Sequence, residues 1–139
     1  MTSTQDPKNW RLKTKLVRGG TERTEFGETS EAIIATSGFR YDAAEIAAAR
    51  FAGEAEGYTY SRLSNPTVAM FENRMALIEG TAVAKATATG MAAVNASLMS
   101  QLRAGDKVVA SKALFGSCRY ILEEIIPRFG IDVELVTGS

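Results

Sequence analysis

Between residues 82 and 136 short apolar runs alternate with helical periods, and this alternation restricts the fold more than any other feature of the chain. Ala82-Val83-Ala84-Lys85-Ala86 is small and mostly apolar and reads as a buried strand. Met91, Val94, Leu98 and Leu102 then recur at steps of three and four, which is a helical period. Lys107-Val108-Val109-Ala110-Ser111 is a second strand candidate. Tyr120, Ile121, Leu122, Ile125 and Ile126 make a second helix, wound down by Pro127-Arg128-Phe129-Gly130. Ile131-Asp132-Val133-Glu134-Leu135-Val136 alternates strictly and reads as a third strand. This order predicts an α/β fold with a parallel sheet and right-handed crossovers. Ligands of such sheets gather beyond the carboxyl ends of the strands, which places Gly90-Met91 and Phe115-Gly116 on one edge. Three parallel strands with an open edge are a poor endpoint for a domain, so the chain is expected to be the front part of a longer protein.

Thr87-Ala88-Thr89-Gly90-Met91-Ala92-Ala93 sits where the first strand hands over to a helix. Free backbone N–H groups backed by a helix dipole make an anion site, and the Thr89 hydroxyl can cap the helix or touch the anion. Plain chain reversal is the alternative reading of a single glycine. The Phe115 ring beside such a turn would suit a flat, phosphorylated ligand.

Residues 1–30 read as an arm, polar up to Trp10 and interrupted by Gly19-Gly20 and Gly27. It is either a loosely held terminus or a segment lying across a partner subunit through Trp10, Leu12 and Leu16. An extended run over Glu31–Tyr41 precedes a helix that Asp42 and Glu45 would open as a capping box, with Ile46 and Phe51 on its buried side and Gly53 at its end. Asn65 and Pro66 read as N-cap and first residue of the next helix, which buries Val68, Phe71, Met75 and Ile78 and closes at Gly80. That reading leaves Tyr60 and Arg62 unexplained. In an extended segment they project to the same side, a phenol and a guanidinium suited to a phosphate. The competing reading is a surface loop with a solvated arginine.

Composition removes several chemistries. There is no histidine, so His-based triads, His metal sites and the usual neutral-pH acid–base group are absent. The 16 basic and 16 acidic side chains balance, so no bulk field recruits nucleic acid or an anionic membrane. No apolar run approaches the ~20 residues that span a bilayer. The one cysteine, Cys118, excludes an internal disulfide, and with no signal-peptide pattern this suits a reducing cytoplasm.

Tyr60-Ser61-Arg62-x-x-Asn65-Pro66-Thr67, Ala88-Thr89-Gly90-Met91 and Leu114-Phe115-Gly116, in that order and spacing, resemble the cystathionine γ-synthase-like enzymes of Cys/Met metabolism, which use pyridoxal phosphate. The likeness runs from about Lys15 to the end. Gly27-Glu28-Thr29-Ser30-Glu31, Thr36-Ser37-Gly38-Phe39 and Ala113–Tyr120 look most like the O-succinylhomoserine sulfhydrylase branch. The resemblance implies the aspartate aminotransferase-like fold (fold type I), with residues 1–64 as arm and inter-subunit segment and 65–139 as the start of the cofactor domain. It implies that the Gly90 and Met91 amides hold the pyridoxal phosphate group. Phe115 would stack on the pyridine ring, where most relatives place tyrosine. Tyr60 and Arg62 would reach the phosphate of the neighbouring subunit's site, Tyr60 also facing the substrate. Arg18, where many relatives have histidine, receives no role.

The implied reaction is γ-replacement on O-succinylhomoserine: succinate leaves and sulfide adds to give homocysteine, in a homotetramer built as a dimer of dimers. The Schiff-base lysine and the aspartate that pairs with the pyridine nitrogen fall after residue 139 in this family, and Lys85, Lys107 and Lys112 do not match the lysine motif. Cys118 is read as a packing residue. Cystathionine γ-synthase, β-lyase, γ-lyase and methionine γ-lyase are rival activities. A nucleotide-binding module and a non-catalytic truncated subunit are the readings from other classes, although no G-x-G-x-x-G or Walker pattern supports the former.

Overall fold

A computed structural model describes residues 6–137. The first five residues of the expected arm and the closing Gly138-Ser139 lie outside the described residues. The chain divides into two compact units, one up to Ala86 and one from Thr87.

The amino-terminal unit is helical. A 3-10 turn over Pro7–Asn9, capped by the Asp6 carboxylate on the Lys8 amide at 3.0 Å, leads into α1, Leu12–Arg18. The stretch read as an arm thus contains a helix, with Lys15 and Arg18 at its negative dipole end. Helix α2, Ala44–Ala52, starts later than expected. Asp42 does not cap it but pairs with Arg40 at 3.2 Å, leaving Ala43 as an N-cap without a side-chain bond. Ile46 and Phe51, expected to be buried, are exposed. The Tyr41 ring stands 6.2 Å from Phe51 but does not cover it. Helix α3, Pro66–Glu79, opens on Asn65 and ends at a left-handed Gly80 as the sequence indicates. Its buried face is different. Val68 and Phe71 are exposed, Met75 and Ile78 half-buried, and the buried residue is Met70.

The reason lies in α1, which packs against α3 and selects the face carrying Met70, Arg74 and Leu77. Arg74 reaches back from α3, its Nε donating to Gly19 O at 2.8 Å and its Nη2 to Thr21 Oγ1 at 3.1 Å, and it pairs with Glu31. Gly20 has φ +71, and an added Cβ there would meet Met70 O at 2.5 Å and Arg74 N at 2.8 Å. Both the backbone conformation and the close approach to α3 require glycine.

The carboxy-terminal unit carries the apolar core. Helix α4, Gly90–Met99, is followed by β1, Lys107–Ser111, by α5, Gly116–Tyr120, and by β2, Asp132–Val136. The two strands pair in parallel, Lys107 opposite Asp132 and Ser111 opposite Val136. Val108, Ala110, Val133 and Leu135 turn to one face and pack with Met91, Val94 and Leu98 of α4 around buried Ile121, Leu122, Ile126 and Ile131. The connection from α5 to β2 continues as a π-helical turn, Ile121–Ile125, and a 3-10 turn, Ile126–Phe129. Pro127 has no N–H to continue an α-helical ladder, and the Ile126 amide bonds Ile121 O instead. Tyr120, expected on the buried side, is 55% exposed.

The parallel α/β character stands, but the expected first strand does not form. Among the described residues Ala82–Ala86 pairs with no strand and is largely exposed. A short apolar run does not make a strand without a ladder partner.

Gly20→Ala should lower the stability of the amino-terminal unit by about 2 kcal/mol or more, through left-handed strain plus the clash on α3. A lower urea midpoint measures it, and an unchanged midpoint would show that the α1–α3 contact is loose.

Candidate cofactor-phosphate site

Residues 31–36 form no helix or strand, and side chains of the 61–67 segment bond backbone groups of Ala32, Ile34 and Thr36. Thr67 Oγ1 donates to Ala32 O at 3.0 Å and accepts from Ile34 N at 2.9 Å. Asn65 Nδ2 donates to Ile34 O at 3.0 Å and to Ser61 Oγ at 2.9 Å, while its Oδ1 accepts from Thr67 N at 2.9 Å. Ser61 completes the set, its amide bonding Ser37 O at 2.9 Å and its hydroxyl bonding Thr36 O. Asn65 is 7% exposed. Read from sequence, Asn65 was a helix cap alone. Its second role leaves no trace in composition or period, because the partner carbonyl lies 31 residues away.

This frame presents Tyr60 and Arg62. Tyr60 bridges Gly38 in antiparallel fashion, and its carbonyl accepts from Leu63 N at 2.9 Å and Ser64 N at 3.1 Å. The segment is thus a turn rather than the extended run that would put both side chains on one side by alternation. The turn still brings them together, the Arg62 guanidinium carbon lying 5.6 Å from the Tyr60 ring centroid. Both are exposed. The neighbouring Tyr58 has a different part. It is half-buried against Phe39, with centroids 5.4 Å apart. Burial, with the Glu22 charge adding to it, pushes its phenol above the ordinary range and keeps it neutral.

In the carboxy-terminal unit, Thr89 caps α4 by accepting from Ala92 N at 3.1 Å. Among the described residues the Gly90 and Met91 amides have no acceptor, so two donors at the positive end of a ten-residue helix remain available. A Cβ placed on Gly90 meets nothing within 4 Å, so the approach is open. Phe115 occupies the N-cap of α5, just past the carboxyl end of β1, and 72% of it is exposed. Phe115 therefore follows a strand as expected, whereas Gly90 follows an unpaired segment. These groups fit pyridoxal phosphate: donors for its phosphate and an uncovered ring for its pyridine.

Two lysines are engaged elsewhere. Lys107 pairs with Glu134 across the sheet, which raises its pKa and holds it protonated, and Lys85 pairs with Glu72 at 3.0 Å. Neither is set up as an amine nucleophile.

Residues 13–139 match the Cys/Met metabolism PLP-dependent enzyme family. The chain belongs to that family. Within it, the chain is 52% identical over 123 residues to O-succinylhomoserine sulfhydrylase of Mycobacterium tuberculosis, covering 88% of this chain and 30% of that protein. It is 39% identical over 134 residues to L-methionine gamma-lyase of Fusobacterium nucleatum, covering 96% and 34%. A putative O-acetylhomoserine (thiol)-lyase from Campylobacter jejuni, whose structure carries a pyridoxyl-lysine phosphate, superposes with a TM-score of 0.87 at 29% identity, over 93% of this chain and 32% of that one. The chain spans about a third of the length of these relatives. Their fold type I architecture is the one the sequence motifs imply. Among the described residues no helix is long and apolar enough to cross a membrane.

Glu72 fastens the approach to Thr87 by accepting from Ala86 N at 2.9 Å as well as from Lys85. Burial raises its pKa, but those two bonds outweigh it and leave the carboxyl below 4.5. The contact is therefore fully present above pH 4.5 and is lost as pH falls through the depressed value. Hydrogen exchange at Ala86, corrected for its intrinsic pH dependence, should accelerate over that acidic window, and Glu72→Gln should remove the pH dependence.

Proposed function

We propose that this chain is part of a pyridoxal-phosphate enzyme that exchanges the succinyl-linked γ-substituent of O-succinylhomoserine for sulfide, giving homocysteine and succinate. The observation that carries the reading is the pair of unbonded amides, Gly90 and Met91, at the Thr89-capped start of α4. The 52% identity to a sulfhydrylase supports the choice of reaction.

When bound, the cofactor supplies an electron sink for the carbanion formed beside the substrate amine. The Gly90 and Met91 N–H groups donate to the phosphate oxygens, and the α4 dipole favours the dianion. The Phe115 ring lies on the pyridine face and excludes water from it. Lacking a hydroxyl, it handles no proton, so substrate selection there rests on shape. Arg62 forks onto the phosphate of a neighbouring subunit's site, with Tyr60 donating to the same phosphate and facing the substrate. No Schiff-base lysine is assigned within this chain.

In this reading residues 1–64 form the arm and inter-subunit segment and residues 65–139 begin the cofactor domain. The assembly is a dimer of dimers in the cytoplasm. A γ-lyase reading draws on the 39% identity to L-methionine gamma-lyase. Homocysteine from O-succinylhomoserine and sulfide supports the first, and thiol plus keto acid released from methionine alone supports the second.

Arg62→Ala should weaken pyridoxal phosphate retention roughly tenfold to a hundredfold, the size of a lost charge-assisted bond. Absorbance titration of the holoenzyme measures it, and unchanged affinity would overturn the phosphate role. Borohydride reduction followed by intact mass should show one reduced cofactor per subunit.

A further inference from the structure

The Asn65 amide is placed to do more than start a helix. Oδ1 accepts from Thr67 N, and both hydrogens of Nδ2 are committed, one to Ile34 O and one to Ser61 Oγ. Ser61 Oγ, receiving that hydrogen, turns its own proton to Thr36 O. The chain of donors has a fixed direction, because Ile34 O and Thr36 O can only accept. Ser61 stands between Tyr60 and Arg62, so whatever holds Ser61 also sets the turn on which the phenol and guanidinium meet. At 7% exposure, Asn65 has little water to replace a lost partner.

We infer that Asn65 is a positioning residue, acting through Ser61 to hold Tyr60 and Arg62 in the geometry that grips a phosphate. The inference rests on the reading of those two residues as phosphate contacts. Its content beyond a helix cap is separable by one substitution. Aspartate caps helices as well as asparagine does, so Asn65→Asp keeps the bond to Thr67 N and the favourable charge at the start of α3. It removes both donations, sets a carboxylate against Ile34 O, and draws the Ser61 proton away from Thr36 O.

Two measurements on the holoenzyme decide the matter. The first is amide hydrogen exchange at Ser61, which bonds Ser37 O, and at Ala69, which bonds Asn65 O in the first turn of α3. In Asn65→Asp, Ser61 should exchange at least tenfold faster while Ala69 is unchanged. The second is the affinity ratio of pyridoxal phosphate to pyridoxal, which isolates the phosphate from the ring. It should fall about tenfold in Asn65→Asp and also in Arg62→Ala. Ser61→Ala, which leaves the cap intact, should behave as Asn65→Asp does and decides the question if the aspartate variant does not fold. Unchanged Ser61 protection, or an unchanged ratio in Asn65→Asp beside a reduced one in Arg62→Ala, overturns the inference alone. A ratio unmoved by Arg62→Ala removes the phosphate reading and the inference with it.

Discussion

A backbone segment with no strand beside it must find its hydrogen bonds elsewhere, and residues 31–36 meet that requirement through side chains. Thr67 serves both a carbonyl and an amide, Asn65 a carbonyl and a hydroxyl, and Ser61 two carbonyls, Thr36 O through its hydroxyl and Ser37 O through its amide. These bonds join the run before α2 to the start of α3, and the Tyr60–Arg62 turn is suspended between them. Without them the turn would keep its residues and lose its shape. The same accounting governs α4, where the Thr89 hydroxyl takes up the Ala92 amide and leaves the two preceding amides free for a ligand.

The amino-terminal unit depends on a second polar anchor. Arg74 holds the Gly19–Thr21 corner and Glu31 together on the surface of α3. Around the route to Tyr60, Tyr41 donates to Thr59 O at 3.1 Å, and the Arg50 guanidinium lies 5.8 Å from the Tyr41 ring centroid. The buried apolar clustering belongs instead to the carboxy-terminal unit, around Ile121, Leu122, Ile126 and Ile131.

How legible each part was follows from the range of the interaction involved. Caps and stops at Asn65, Pro66, Gly80, Thr89 and Gly130 are local, and the residues declare them. The period of α4 and the alternation of β2 were readable because one face of each meets the core. The buried face of α3 was not, since Phe71 and Met70 are equally apolar and the choice between them is made by α1, more than fifty residues earlier. Ala82–Ala86 departs from its reading for a related reason, since a short apolar run reads as a strand but among the described residues no strand pairs with it. The phenol–guanidinium pair was anticipated from an alternation the backbone does not have; a turn produced the same meeting. Motif order carried the family, whereas the donor chain from Asn65 through Ser61 to Thr36 became visible only in three dimensions.

The free donors at the start of α4 have a consequence for the genetics of this protein. They are main-chain atoms, so among codon changes only one to proline, which carries no N–H, deletes a donor, and alanine replacements leave both donors in place. Other codon changes alter access, by adding a side chain at Gly90, or helix order, by removing the Thr89 hydroxyl. Drift can therefore rewrite much of the surrounding surface while the two donors persist, and chemical synthesis, exchanging an amide for an ester, removes them one at a time without adding a proline ring.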